Sequence, residues 1–420
     1  MSKKKLILNS SIYLIGDLIN KAVPFLMLPI LTKYLTPTDY GIISSFGAFV
    51  GFLSIFIGLS LHGAINVNFF KFKHKDLKIY IVNALIILLF STIITSLIVF
   101  IFNNPIGDRL LLSKEWLYLA ILVALSQFIT LFNTTLWIAN EQPKPYIIYQ
   151  LSQMLLISTL TIVLIIGYSF DWKGQVISLI IGSISFGFIS MQFLYKRDYL
   201  LFKYDKKSIK ELLNFGIPMI PHQLSGWITS YGDKILIISI LGASSTGLFS
   251  VGYQIAMIMS VLTSAFNKVW SPYLYNILSN NPTIGKKQQI VKLTYIYFLA
   301  MIILVGILYL VSKFLFVYII DDKFIQAEQF VIYILIANAF NGMYLMIVNY
   351  IFYIEKTSIL AYITFSTSII HLILSYIFIY TFGAIGATYS LVISAFINFI
   401  SVWYMSNIYY PMPWGIKWIS

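Results

Sequence analysis

Long apolar runs without a single charged residue alternate along this chain with short polar segments, many of them rich in lysine. Residues 40–70, 79–107, 116–140, 145–170, 174–195, 235–267 and 357–416 contain no Asp, Glu, Lys or Arg. A helix needs roughly 20 predominantly apolar residues to cross a bilayer, and each of these runs is that long or longer. Two runs are interrupted by turn-forming residues, at Gly242-Ala-Ser-Ser-Thr-Gly247 and at Thr381-Phe-Gly-Ala-Ile-Gly386. The pattern predicts an all-α polytopic membrane protein with twelve helices at about 8–32, 42–65, 79–102, 116–139, 146–167, 175–195, 213–240, 248–270, 293–311, 330–352, 359–380 and 387–405. The opening Lys3-Lys4-Lys5 followed by apolar residues has the outline of a signal peptide. Asp17 and Lys21 interrupt its apolar run and no small-x-small cleavage site follows, so it reads as the first spanning helix.

A weak internal repeat runs through the same pattern. Leu35-Thr-Pro-Thr-Asp-Tyr-Gly41 matches Leu241-Gly-Ala-Ser-Ser-Thr-Gly247. Tyr168-Ser-Phe-Asp-Trp-Lys-Gly174 matches Tyr380-Thr-Phe-Gly-Ala-Ile-Gly386, Ser178 pairs with Ser390, and Glu141 and Glu355 each end a fourth helix. The common order and near-constant offset divide the chain into a six-helix bundle at 1–195, a basic linker at 196–212, a second bundle at 213–405 and a tail at 406–420. Six helices per half is an even number, so both halves start on the same side of the membrane. Parallel repeats around a central cavity are therefore expected.

Composition agrees with the pattern. Of 420 residues, 59% are hydrophobic and 10% charged, too apolar for one soluble core. This excludes an ordinary soluble enzyme. The net charge of +13 would suggest nucleic acid in a soluble chain, but here it is a topology signal. With the N-terminus placed in the cytoplasm, cytoplasmic segments carry 19 of the 28 Lys and Arg, external segments six, and the spans three. Both termini are thus expected inside, and no nucleic-acid partner is expected. The chain has no cysteine, and its four histidines have no metal-ligand spacing, so neither metal nor cofactor is expected.

Five charges fall inside predicted spans: Asp17 and Lys21 on the first, Asp233 and Lys234 on the seventh, and Lys268 on the eighth. A charge near the bilayer centre costs about 2.5–3.5 kcal/mol on insertion scales and usually faces protein or a watery cavity. Asp17 and Lys21, spaced i,i+4, share one helix face. Asp233 and Lys234 are neighbours and point about 100° apart, so they address different surroundings. Pro24 and Pro29 on the first helix and Pro218 and Pro221 on the seventh remove backbone donors, and interruption at corresponding places in two halves points to a transport site. His222 follows the second pair and can titrate near neutral pH, which with Asp17 and Asp233 makes it a candidate for ion coupling. Trp227 and Tyr231 could stack on sugar rings. Intramembrane amides such as Asn133, Asn140, Asn338 and Asn349 read as interhelical hydrogen-bonding groups.

Two stretches resemble a known family. Leu28-Pro-Ile-Leu-Thr-Lys-Tyr-Leu-Thr-Pro-Thr-Asp-Tyr-Gly41 resembles the opening signature of polysaccharide-export proteins. Phe215-Gly-Ile-Pro-Met-Ile-Pro-His-Gln-Leu-Ser-Gly-Trp-Ile-Thr-Ser-Tyr-Gly-Asp-Lys234 resembles the matching signature of O-antigen flippases. Both belong to the multidrug/oligosaccharidyl-lipid/polysaccharide exporter superfamily. The resemblance implies a flippase in the bacterial inner membrane, not an enzyme. Its substrate would be an undecaprenyl-pyrophosphate-linked oligosaccharide, an O-antigen or capsule repeat unit used in lipopolysaccharide biosynthesis, moved by alternating access. It further implies membrane lipid, H⁺ or Na⁺, and the polymerase and chain-length proteins of the same pathway as partners. Lys21, Lys234 and Lys268 would attract the pyrophosphate as point charges, with Trp227 and Tyr231 holding sugar.

Two rivals stand beside this reading. A multidrug or cation antiporter of the same superfamily should carry a net acidic cavity, whereas the intramembrane set here is three Lys and two Asp. A lipid-linked-sugar polymerase or transferase needs a catalytic acid or a large external domain, and the longest external segment, about 312–329, is short.

Overall fold

The computed structural model describes residues 3–415, with the side chains of residues 3–15, 17, 18 and 21 excluded. Among the described residues there is no strand, and the helices are α1 (Lys3–Tyr34), α2 (Pro37–Gly58), α3 (Leu61–Phe69), α4 (His74–Ile101), α5 (Asn103–Leu110), α6 (Lys114–Ala139), α7 (Pro143–Ile162), α8 (Trp172–Lys196), α9 (Lys206–Gly216), α10 (Ile220–Trp227), α11 (Asp233–Leu241), α12 (Ala243–Ser279), α13 (Ile284–Tyr318), α14 (Glu328–Tyr353), α15 (Thr357–Phe382) and α16 (Ala384–Tyr409). Among the described residues, ten helical segments are long and apolar enough to cross a membrane, and the chain is a multi-pass membrane protein.

The first predicted span lies within α1, which is one continuous helix. One of the twelve predicted spans looks different in the structure. The seventh is divided into α9, α10 and α11 by a 3₁₀ turn at Ile217–Met219 and a π turn at Ile228–Gly232. The short α3 and α5, absent from the expected set, extend the ends of α2 and α4. The prolines act unequally. Pro218 lies in the 3₁₀ turn and Pro221 opens α10, where a missing N–H costs little. Helix α1, by contrast, runs unbroken through Pro24 and Pro29, so the interruption expected in two helices occurs in one.

Packing divides the chain into two compact units, 1–247 and 248–420. The boundary falls within α12, so the seventh span belongs to the first unit, whereas the sequence-based division falls at 195–213. In the first unit, Phe46, Phe49, Leu53 and Ile57 of α2 meet Tyr80, Ile81 and Leu88 of α4 and Leu117, Phe128 and Phe132 of α6 in one buried cluster. Trp137, Tyr149 and Phe186 form a second, smaller cluster where α6, α7 and α8 converge. In the second unit α16 packs on α14 and α15, and α13 packs on α14. Lipid is as apolar as leucine, so close packing and interhelical hydrogen bonds hold these units together. Gly58 admits the ring of Phe128, and Gly342 admits the Thr263 side chain and Met301. Asn349 Nδ2 donates to Asn267 Oδ1 at 2.9 Å and Asn338 Nδ2 to Ala256 O at 3.2 Å. Outward faces such as Leu89, Phe90, Ile93, Leu97 and Phe100 of α4 are exposed and apolar.

The repeated sequence elements share local geometry. Glu141 and Glu355 both have positive φ, 55° and 59°, just past the ends of α6 and α14. In each case the same bonds close the helix end: Glu141 N to Ile138 O and Gln142 N to Trp137 O, against Glu355 N to Phe352 O and Lys356 N to Ile351 O. Leu35–Gly41 and Leu241–Gly247 meet each other directly. A Cβ on Gly41 would lie 1.9 Å from Ala243 O, and one on Gly247 would lie 1.8 Å from Pro37 O. Pro37 pairs with Ala243 and Gly41 with Gly247 in the repeat, so the contact is reciprocal, as across a local two-fold axis.

Candidate functional site

The interrupted seventh span lies antiparallel to α2. Gly216 begins the contact, because a Cβ there would sit 2.2 Å from Leu59 O. Gln223 then hydrogen-bonds Ser60 Oγ. One turn on, Trp227 Nε1 donates to Ala48 O at 2.9 Å, and its ring lies 5.1 Å from Phe52. Trp227 stacks at 6.5 Å on Tyr231, and both rings approach Gly51, where a Cβ would meet them at 3.3–3.4 Å. Lys234 Nζ sits 5.5 Å from the centre of the Tyr231 ring.

Gln223, Trp227, Tyr231 and Lys234 thus form one stripe with spacings of four, four and three residues, the geometry of a single helix face. The π turn at Ile228–Gly232 lies in the middle of that stripe. A π turn adds a residue to the helical ring and re-aims the side chains that follow, and such turns recur at functional sites. Here it lies between Trp227 and the charged pair. Asp233, directly after it, is 4% exposed, while Lys234 is half-buried beside its aromatic neighbour. The pair faces two surroundings, as adjacent helical residues must. The ring face beneath Lys234 favours the ammonium by a cation–π contact of about 0.5–2 kcal/mol.

The remaining expected residues are not part of this stripe. His222 is exposed and lies eleven positions before Asp233, about 16 Å of helix rise. Lys268 is exposed on α12 in the second unit. Asp17 and Lys21 lie outside the described side chains. Phe52, Gly51, Ala48 and Ser60, which frame the stripe, were not singled out from sequence. Their only signal is a small-residue pattern on α2, Gly47-Ala48 and Gly51, and such residues are common in membrane helices generally. A cavity of about 510 Å³ on the first unit, lined by Thr92, Ser96, Phe100, Tyr118 and Leu122 among others, holds no charged group.

The sequence profile of the family described as "Polysaccharide biosynthesis protein" matches residues 6–278, which include the whole of the stripe and α2. The chain belongs to that family. It is 28% identical over 374 residues to "Lsg locus putative protein 1" of Haemophilus influenzae, covering 87% of this chain and 90% of that one. Among solved structures it is similar to the lipid II flippase MurJ in its inward closed conformation, with a TM-score of 0.74 at 16% identity, covering 96% of this chain and 87% of that one. It is also similar to a multidrug resistance MATE family transporter of the MOP superfamily in its inward-facing conformation, with a TM-score of 0.73 at 15% identity over 93% and 94% of the two chains. The fold is the one these two solved transporters share.

Proposed function

We propose that the chain is a flippase that carries an undecaprenyl-pyrophosphate-linked oligosaccharide, an O-antigen or capsule repeat unit, from the cytoplasmic to the outer leaflet of a bacterial inner membrane. Membership of the polysaccharide biosynthesis family and the transporter fold support this reading. The observation that carries it is the Lys234 ammonium held over Tyr231 on a span whose helix passes through a 3₁₀ and a π turn. A cation held at membrane depth beside aromatic rings suits a lipid-linked pyrophosphate: Lys234 meets the anion, aromatic and amide groups meet sugar, and the polyprenyl tail stays in lipid. The 3₁₀ and π turns on either side of α10 are where the helix would bend as the unit changes state. Asp233 is the candidate ion-coupling group of this span, with H⁺ or Na⁺ as the ion. One charge crossing 100 mV is worth about 2.3 kcal/mol, enough to bias transport.

The test is Lys234→Ala in cells that depend on this chain for surface polysaccharide. At normal protein level it should abolish surface polysaccharide and accumulate lipid-linked repeat unit in the inner leaflet, and Lys234→Arg should retain more activity. Normal surface polysaccharide with Lys234→Ala would overturn the role given to this residue.

A further inference from the structure

The chain contains only two arginines, Arg109 and Arg197, and neither belongs to the stripe. Arg197 caps the C-terminal end of α8. Long cationic side chains at helix ends normally extend outward to the headgroups and water. Arg197 turns the other way. Its Nη1 donates to Asn133 Oδ1 at 3.0 Å, and Asn133 is fully buried, six residues before the end of α6 and so about 9 Å inside it. Asn133 Nδ2 in turn reaches Ser190 Oγ at 3.4 Å, and Ser190 lies a similar distance inside α8. The polar chain continues inward through the hydroxyl of Tyr149, which is bonded to Ser190 and to Phe186 O.

The guanidinium is braced on two sides. Its Cζ lies 5.3 Å from the centre of the Trp137 ring and 5.0 Å from that of Tyr199. Tyr199 is held over it by the end of α8. Asp198 takes a φ of 58°, Tyr199 N bonds back to Leu194 O, and Asn140 Nδ2 donates to the Tyr199 hydroxyl at 2.8 Å. A half-buried charge held this firmly normally has a carboxylate beside it. Among the described residues none lies within ion-pair distance of Arg197, and the adjacent Asp198 is instead paired with Lys78. A guanidinium presents five N–H donors in a planar fork suited to carboxylate and phosphate, and the contacts here leave part of that fork unused.

We propose that Arg197, with Asn133, Trp137 and Tyr199, forms an anion site that takes a phosphate or pyrophosphate group at the end of the first unit. The site does not depend on the flippase reading or on Lys234. Two sources carry this chemistry, a phospholipid headgroup and a free or substrate-borne pyrophosphate. The half-buried guanidinium supplies bidentate hydrogen bonds to two oxygens, and the aromatic faces fix its plane.

The test uses the full chain in lipid nanodiscs. One arm titrates inorganic pyrophosphate into phosphatidylcholine discs; the other replaces phosphatidylcholine stepwise with phosphatidylglycerol. Native mass spectrometry and thermal unfolding are the readouts. Arg197→Gln should weaken binding at least tenfold, with Arg197→Lys intermediate. Asn133→Asp keeps the arginine and supplies an internal carboxylate. It should also weaken binding at least tenfold while melting no lower than the unsubstituted chain, which separates a ligand site from a purely structural clamp and decides the matter if Arg197→Gln fails to fold. Saturable binding of pyrophosphate assigns the diphosphate; binding of phosphatidylglycerol alone assigns the headgroup. No saturable binding of either probe, or undiminished binding to Asn133→Asp, overturns the site.

Discussion

Trp227 shows how much a single residue's role depends on its neighbours. From sequence it is an aromatic at membrane depth that could stack on sugar. In the structure its indole N–H is committed to Ala48 O and its ring to Phe52 and Tyr231. It therefore sets the position of Tyr231, and through it Lys234, and its own polar edge is occupied. Trp227→Phe, which keeps the ring but removes the donor, should cost about 1 kcal/mol, the net worth of one hydrogen bond. Trp227→Ala also removes the ring's contacts with Phe52 and Tyr231 and should cost more than Trp227→Phe. Thermal unfolding in a fixed detergent checks the order; equal melting temperatures for the two variants would contradict this account. The charged pair was legible because intramembrane charge is costly and therefore rare. The Arg197 cluster was not, because Arg197 sits at a helix end, where a basic residue is ordinary, and only its side-chain direction distinguishes it.

At the scale of elements, α2 begins with a full capping box: Thr36 Oγ1 accepts from Asp39 N at 3.2 Å and Asp39 Oδ2 accepts from Thr36 N at 2.8 Å. This fixes the helix start where Gly41 meets Gly247. The backbones touch there, so a methyl group has no room. Gly41→Ala and Gly247→Ala should each sharply reduce folded protein, measured by fluorescence-detected size exclusion. Gly306→Ala, on α13 with open space around its Cα, should leave it unchanged or slightly raised. The proline effects were legible only in part. Pro221 opens α10, where its missing N–H matters little, while α1 absorbs two prolines without a break. A sequence names the donors that are lost; neighbouring packing decides whether the helix yields.

At the scale of the whole molecule, the lysine distribution predicts that both termini and the 196–212 linker face the cytoplasm. The natural absence of cysteine makes this directly measurable. In intact spheroplasts, a single cysteine at Lys173 should react with a membrane-impermeant maleimide, and one at Lys203 should react only after permeabilisation. The reverse pattern would invert the topology.

The sequence by itself determined that the chain is a helical membrane protein, roughly where its helices lie, and that it resembles polysaccharide-export proteins. Apolar run length and lysine placement are one-dimensional properties set by the bilayer. It also named the repeat, whose αL glutamates and reciprocal glycines are local geometry encoded in a few residues. Only the tertiary structure decided that the seventh span packs within the first unit, that Gln223, Trp227, Tyr231 and Lys234 form one stripe against α2, and that Arg197 turns inward to Asn133. Those outcomes depend on which helix faces which, and close packing in lipid is set by the fit of small residues and buried polar groups on two surfaces at once.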